Sequence, residues 1–321
     1  MALAATLSLD LDDLWAYRAS FGLPAAAASL LPLAIGRYLR LMGDHGLQGT
    51  VFVVGRDAER PALKPLLAEL ASAGHELGNH SHAHAADLQA WPAARQRDDL
   101  ARAHAAIAAA GGRAPVGFRG PAFQASAGLL QTVQALGYRY DSSMFPNALA
   151  GLARRWQARR ARALGSAVQP AAGAHGAGAV HRLPLAPWAW DLPGGGLVEV
   201  PITTLPGLRL PLHGTYLQHL ADHSPATARA FLRGALALCA ARGVAPHYLL
   251  HATDFVGCED GFEVGFLPGM RRPWRAKVAL LDRLLGHLRK RFAPTTLAHY
   301  VARIGPADSL PRRDARRLDR G

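Results

Sequence analysis

The sequence predicts an α/β protein built on a parallel sheet or barrel. Three observations carry this. Over the first 140 residues, short β-rich runs alternate with helical ones, the order that a parallel sheet requires. Several of those runs end in residues with chemistry, and strand ends are where α/β barrels collect their catalytic groups. A chain of 321 residues, half of them hydrophobic, is also long enough to bury a large core.

The elements follow in order. Residues 3–11 are apolar, end in carboxylates and read as a buried first strand. Residues 30–41 have helical spacing. The run 49–55, bounded by glycines, is a second strand. A helix is expected over 61–73, with Pro61 near its start, four leucines on one face and Gly74 as its stop. Residues 75–79 form a short strand. Residues 91–110 are Ala-rich and helical, 116–123 give a strand and turn, and 127–136 are again helical. The pattern breaks between 146 and 180, where an Arg-rich stretch precedes Ala171-Ala-Gly-Ala-His-Gly-Ala-Gly-Ala179. The region 150–180 reads as a basic, Gly/Ala-rich insertion or mobile loop. Regular structure resumes with strand 197–201, helix 225–241, strand 247–253 and helix 275–291. One catalytic domain over 1–304 and a disordered basic tail over 305–321 are expected.

Charge bounds the partners. The chain carries 36 Lys and Arg against 23 Asp and Glu, a net charge of +13. Arg154, Arg155, Arg159, Arg160 and Arg162 cluster in one stretch, and Arg312, Arg313, Arg316, Arg317 and Arg320 in another. Such runs are either solvated faces or contacts for an anionic lipid or phosphate-bearing substrate. No nucleic-acid-binding motif accompanies the charge, so no nucleic-acid partner is expected. Cys239 and Cys258 are the only cysteines and form no metal-knuckle spacing. The first ten residues lack a basic segment before the acidic triplet. The longest apolar stretch, 23–35, is too short to span a bilayer and contains Pro24 and Pro32. A cytoplasmic protein able to touch the inner membrane face is expected.

The chemistry concentrates in four segments. Asp10, Asp12 and Asp13 follow the first strand, and His80-Ser81-His82-Ala83-His84 follows the third. Arg119 ends another strand and His251 a late one. Two imidazoles four residues apart can share one side of a helical turn. With one carboxylate they make a three-ligand site that leaves a position open for water, as a catalytic zinc needs. Taken singly, each segment has a plain alternative: a solvated acidic turn, a polar helix start, a surface arginine, a core histidine. Together and in this order the alternatives do not hold jointly.

The combination resembles the polysaccharide deacetylase family, carbohydrate esterases with a NodB homology domain. The counterparts are Leu7-Ser-Leu-Asp-Leu-Asp-Asp13, His80-Ser-His-Ala-His84, Arg119-Gly-Pro-Ala-Phe123 and Leu249-Leu-His251, over roughly residues 3–304. The resemblance implies a distorted (β/α) barrel of about seven parallel strands. It implies a divalent ion, zinc or similar, held by Asp12, His80 and His84. Asp10 becomes the general base, oriented by Arg119, and His251 the acid that protonates the leaving amine. A backbone N–H near Phe123 would help to stabilise the oxyanion. Pro121, Phe123 and Trp190 would line the sugar site. His82 falls outside the ligand set. The family's first motif has adjacent aspartates, so Asp12 and Asp13 as the working pair is the alternative. The family's Asp and Trp near the acid histidine have Trp188, Trp190, Asp191 and Asp254 as candidates.

The implied reaction is removal of an N-acetyl group from a sugar. The expected substrate is a nucleotide- or lipid-linked saccharide or polysaccharide precursor, with an anionic membrane surface or a polyprenyl-phosphate carrier as further partner. A deformylase or cyclic-amide hydrolase on the same fold is the alternative. A non-catalytic carbohydrate- or lipid-binding protein is a remote one.

Overall fold

Strand β1 (Ala4–Leu11) is buried from Ala5 onward on both faces, the mark of a central strand in a parallel sheet. The computed structural model describes residues 2–166 and 180–320. It adds β2 (Thr50–Val53), β3 (Glu76–Asn79), β4 (Gly117–Phe118), β5 (Tyr140–Asp141), β6 (Trp188–Leu192), β7 (Gly195–Glu199), β8 (His247–His251), β9 (Ala293–Thr295) and β10 (Arg312–Asp314). Their order is β10-β6-β7-β5-β4-β3-β2-β1-β8, with β9 also pairing β1. From β7 to β8 every pairing is parallel, which gives the expected seven strands. The β6–β7 hairpin is antiparallel. The sheet ends do not pair with each other among the described residues.

Register places the chemistry. Asp10 lies opposite His251 on β8 and opposite Phe52 on β2. Asn79 lies opposite Phe118, so the residues that follow them, His80 and Arg119, leave the sheet side by side. Asp141 continues the row opposite both Phe118 and Glu199.

Most helices stand where periodicity places them: Leu31–Asp44, Lys64–Ser72, Ala93–Gly111, Ala127–Ala135, Pro225–Ala241 and Trp274–Arg291. Pro225–Ala241 agrees at both ends, because Ser224 Oγ accepts from Thr227 N–H (3.2 Å) and proline opens the helix. Leu14–Ser20, Gly214–His223 and Leu297–Ile304 are further helices that hydrophobic spacing alone did not point to.

Three expectations are corrected. The segment His80–His84 is a loop, not a helical turn, with Ser81 and His84 both at positive φ (61° and 50°). The tail is ordered: β10 pairs β6, and Ala315 and Leu318 are buried in a core cluster with Trp188 and Trp190. Two apolar residues anchor an otherwise basic segment. The Arg-rich half of the expected insertion loop is a helix, Ala150–Ala163, seated through buried Ala161 in a cluster with Phe21 and Phe266. The Gly/Ala-rich run that follows lies outside the described residues. No helix among the described residues is long and apolar enough to cross a membrane.

Candidate active site and metal centre

Asp12, His80 and His84 come together at the ends of β1 and β3. One donor atom from each lies within 4.8 Å of the others. Asp12 Oδ1 stands 3.4 Å from His80 Nε2 and 3.1 Å from His84 Nε2. Two donors bound at ~2.0–2.1 Å to one tetrahedral ion are about 3.3 Å apart, so the spacing fits a shared cation. Among the described residues the buried Asp12 Oδ1 has no donor other than these imidazoles, so with both Nε2 atoms deprotonated it is an acceptor that a cation would satisfy. His80 Nδ1–H donates to the Arg119 carbonyl (2.7 Å), which leaves Nε2 bare toward Asp12.

Electrostatics divide the three groups. Burial would raise the Asp12 carboxyl, but His84, His80 and His251 outweigh it and hold it well below its ordinary value. Burial pushes His80 below its ordinary value against the pull of Asp10 and Asp12. For His84 burial acts in the same direction, yet Asp12 overcomes it and holds that imidazole above its ordinary value. A cation entering the site would therefore compete with a proton on His84.

The loop that presents the imidazoles is held from below. Asn79 Oδ1 accepts from Ser81 N–H (2.8 Å), while its amide donates to Leu100 O and Tyr138 Oη. Ser81 Oγ accepts from His84 N–H (2.9 Å). Asp99, on helix Ala93–Gly111, accepts from both His82 N–H (2.8 Å) and Ala83 N–H (2.9 Å). These bonds fix Ser81 and His84 in the left-handed region, which side chains other than glycine occupy at a cost. The His82 ring turns away to Glu59 (3.3 Å), consistent with its place outside the ligand set.

Asp13 has a different task. It is the N-cap of helix Leu14–Ser20: Oδ1 accepts from Leu14 N–H (2.7 Å) and Leu30 N–H (2.9 Å), and Oδ2 from Arg60 (2.6 Å). With its oxygens engaged this way, Asp13 is not available as a ligand. The alternative pairing of Asp12 with Asp13 has no support in the geometry.

Arg119 is fully buried and all five of its N–H donors are used. It donates to Asp10 Oδ1, Ser8 Oγ (3.0 Å), Ser142 O (2.9 Å), Ser142 Oγ (3.0 Å) and His247 Nε2 (3.1 Å). Burial and the Arg119 charge push His247 well below its ordinary value, so it stands neutral beside the guanidinium. Asp10 Oδ2 faces the metal side, 4.0 Å from His80 Nε2. Gly120 must be glycine: a Cβ there would meet Gln124 O at 2.0 Å.

His251 ends β8. Its backbone N–H donates to Asp254 Oδ2 (2.9 Å), and its Nδ1 pairs with Thr215 Oγ1 (3.1 Å), which in turn reaches Asp254 Oδ1 (3.3 Å). This chain orients the ring and leaves Nε2 free. Asp254 is thus the carboxylate beside His251; Asp191 is exposed and pairs with Arg312. Phe123 packs edge-on to His251 (6.4 Å between centroids) and lines a cleft of about 890 Å³ that opens beside the histidine.

Two expected platform residues are elsewhere. Trp190 is only 2 % exposed, faces the core with Trp188, and donates Nε1–H to Glu199 (2.9 Å). Period-two alternation in β6 sends Trp188, Trp190 and Leu192 inward and Asp191 out. Pro121 is buried beneath its turn and is not part of the cleft wall. The Phe123 N–H is already donated to Gly120 O (3.1 Å).

Residues 31–140 match the family model for polysaccharide deacetylase. That third of the chain is similar to the polysaccharide deacetylases. The matched third of the chain contains His80, His84 and Arg119, and the acidic triplet and His251 lie on either side of it. Deacetylases of this family hydrolyse amide bonds of acetylated sugars, which agrees with the expected hydrolase of non-peptide carbon–nitrogen bonds. No curated protein sequence matches. Among solved structures, a Mycobacterium smegmatis protein assigned to the polysaccharide deacetylases aligns at TM-score 0.60 and 19% identity, over 97% of this chain and 93% of its own. A Pseudomonas aeruginosa PAO1 protein with the same assignment gives 0.53 and 16%, over 94% and 90%. The allantoinase PuuE gives 0.54 and 16%, over 94% and 89%. At these identities the likeness concerns the fold, and it agrees with the distorted barrel read from the sequence.

Proposed function

We propose that this chain is a metal-dependent hydrolase that removes the N-acetyl group from a sugar carried on a nucleotide or lipid. The observation that carries the proposal is the convergence of Asp12, His80 and His84 beside an Asp10 that Arg119 orients. Asp12, His80 and His84 would hold the ion, and their oxygen–nitrogen–nitrogen donor set suits zinc. Bound there, a divalent cation would polarise the acetyl carbonyl and lower the pKa of water.

The chain's own residues do the rest. Asp10 presents Oδ2 toward the metal side and takes the water proton. Arg119 donates to the other carboxylate oxygen and so fixes the orientation of Asp10. His251, steered by Thr215 and Asp254, delivers a proton through Nε2 to the leaving amine. Phe123 offers a face for the sugar at the mouth of the cleft. A cytoplasmic site of action, with peripheral contact at an anionic membrane face, belongs to the same reading; the arginine-rich helix Ala150–Ala163 supports it.

The test is acetate release from N-acetylated sugars before and after chelation. Activity should vanish with chelator and return with zinc. Chelator-resistant turnover, or full activity in His80→Ala, would sink the proposal. A parallel panel of N-formyl and cyclic amides separates deacetylation from the other amide hydrolyses this fold could host.

A further inference from the structure

The cleft beside His251 is walled mainly by apolar and aromatic side chains. Phe123, Phe145 and Pro211 form the inner part, Leu149, Leu152 and Trp156 the outer part. At about 890 Å³ it lies toward the upper end of small-molecule sites, which span roughly 300–1,000 Å³. It is continuous with the candidate site through His213 and Thr215. His213, bridged to Leu249, sets its ring 5.9 Å from His251, and Thr215 bonds that histidine. On the deacetylase reading, this is the space open to the group that leaves with the amine.

Helix Ala150–Ala163 forms the outer wall and is basic. Arg154 lines the cleft, and Arg155, Arg159 and Arg162 are exposed on the same helix. Among the described residues none of these four forms an ion pair with a carboxylate. Leu152 (55 %) and Trp156 (43 %) remain exposed between them. The combination of an apolar trough with one unpaired arginine, Arg154, in its wall matches a long hydrocarbon chain joined to phosphate. A nucleoside diphosphate carrier would place two phosphates against a wall that offers one arginine, Arg154, and a carboxylate, Asp87, and it would leave the apolar surface of Phe145, Leu149, Leu152 and Trp156 without a partner.

Resting on the deacetylase reading above, we propose that the cleft selects a lipid-phosphate-linked N-acetyl sugar, its hydrocarbon chain lying along Phe145 and Trp156 and its phosphate facing Arg154. Two measurements test it on the full chain loaded with zinc. The first is binding of farnesyl phosphate, followed by tryptophan fluorescence, against farnesol and inorganic phosphate. Farnesyl phosphate should bind at least 10-fold more tightly than either, and Arg154→Gln and Trp156→Ser should each weaken it at least 5-fold. Equal binding of all three, or none, overturns the proposal whatever the reaction is. The second compares kcat/KM for acetate release from one N-acetyl sugar presented free, as a nucleoside diphosphate ester and as a farnesyl phosphate ester. A gain of at least 100-fold for the lipid ester is expected. Release from all three at similar rates overturns the lipid assignment and leaves the deacetylase standing. Release from none removes the deacetylase reading, and the fluorescence titration then judges the cleft by itself.

Discussion

Asp99 should govern metal affinity without touching metal. Its two oxygens accept the His82 and Ala83 amides at 2.8 and 2.9 Å, in a partly buried setting. A hydrogen bond to a charged group contributes about 1.5–3 kcal/mol, so Asp99→Ala removes ~3–6 kcal/mol of interaction. Water can reach the freed amides in part, and the loop keeps its bonds to Asn79 and Ser81. The portion that appears as lost preorganisation is therefore smaller, about 1.4–2.8 kcal/mol, or 10- to 100-fold in Kd, the range typical of outer-sphere partners. Asp99→Asn keeps one acceptor oxygen and should fall between wild type and alanine. The assay is zinc competition against a chromophoric chelator at fixed pH, with a denaturation curve to confirm that each variant is folded. A folded Asp99→Ala with wild-type zinc affinity refutes the argument that this carboxylate holds the ligand loop in its binding form.

Three further outcomes are expected. Asp13→Ala should lose about 2–3 kcal/mol of stability in urea, from the helix cap and the Leu30 amide, with the half-exposed Arg60 pair adding little; it should still bind one zinc, and loss of zinc at unchanged stability would return Asp13 to the ligand set. Arg119→Met should cost about 3–5 kcal/mol because it leaves Asp10 buried without its partner. Asp10→Asn should then cost less in that background than in wild type, and strictly additive effects in the double-mutant cycle would contradict the coupling. Burial lowers the His75 imidazole from 6.5 to about 4, where Nδ1 accepts from Gly49 N–H. Between those values the unfolded chain binds the extra proton, so stability is complete above pH 6.5 and falls as pH drops through 4, by up to about 3 kcal/mol. His75→Gln should remove that part of the acid slope, and identical slopes for the two proteins would count against it.

The fold was largely legible where burial imposes a simple pattern. Residues 3–11 read as a buried strand because every side chain is apolar or small until the carboxylates appear, and helix Pro225–Ala241 announces itself by Pro225 and its apolar spacing. The meeting of Asp12, His80 and His84 was legible because one loop supplies two of the three and a strand end the third. What stayed hidden depends on long-range packing. Nothing near Asp99 says that its oxygens will cap a loop 16 residues earlier, and nothing near Ser8 or His247 says that they share Arg119. Trp190 shows the opposite error: an aromatic beside a polar residue looked like a sugar platform, although the inward alternation of Trp188, Trp190 and Leu192 was already in the sequence. The tail was misjudged because composition counts its arginines and overlooks Ala315 and Leu318.

The pairing of β1 with β8 joins strands far apart in sequence: Ser8 and His247 meet across 239 residues, and Asp10 lies level with His251 further along the same two strands. A ribosome must therefore add every residue from Asp10 to His251 before the proposed base and acid can face each other. The proposed ligands Asp12, His80 and His84 all precede residue 85, so a nascent chain could capture an ion long before it can turn over substrate. A one-residue slip of β8 would bring Leu250 level with Asp10 and send His251 to the other face of the sheet. Activity is thus a check on correct strand assembly, and N-terminal fragments that retain metal should be inert.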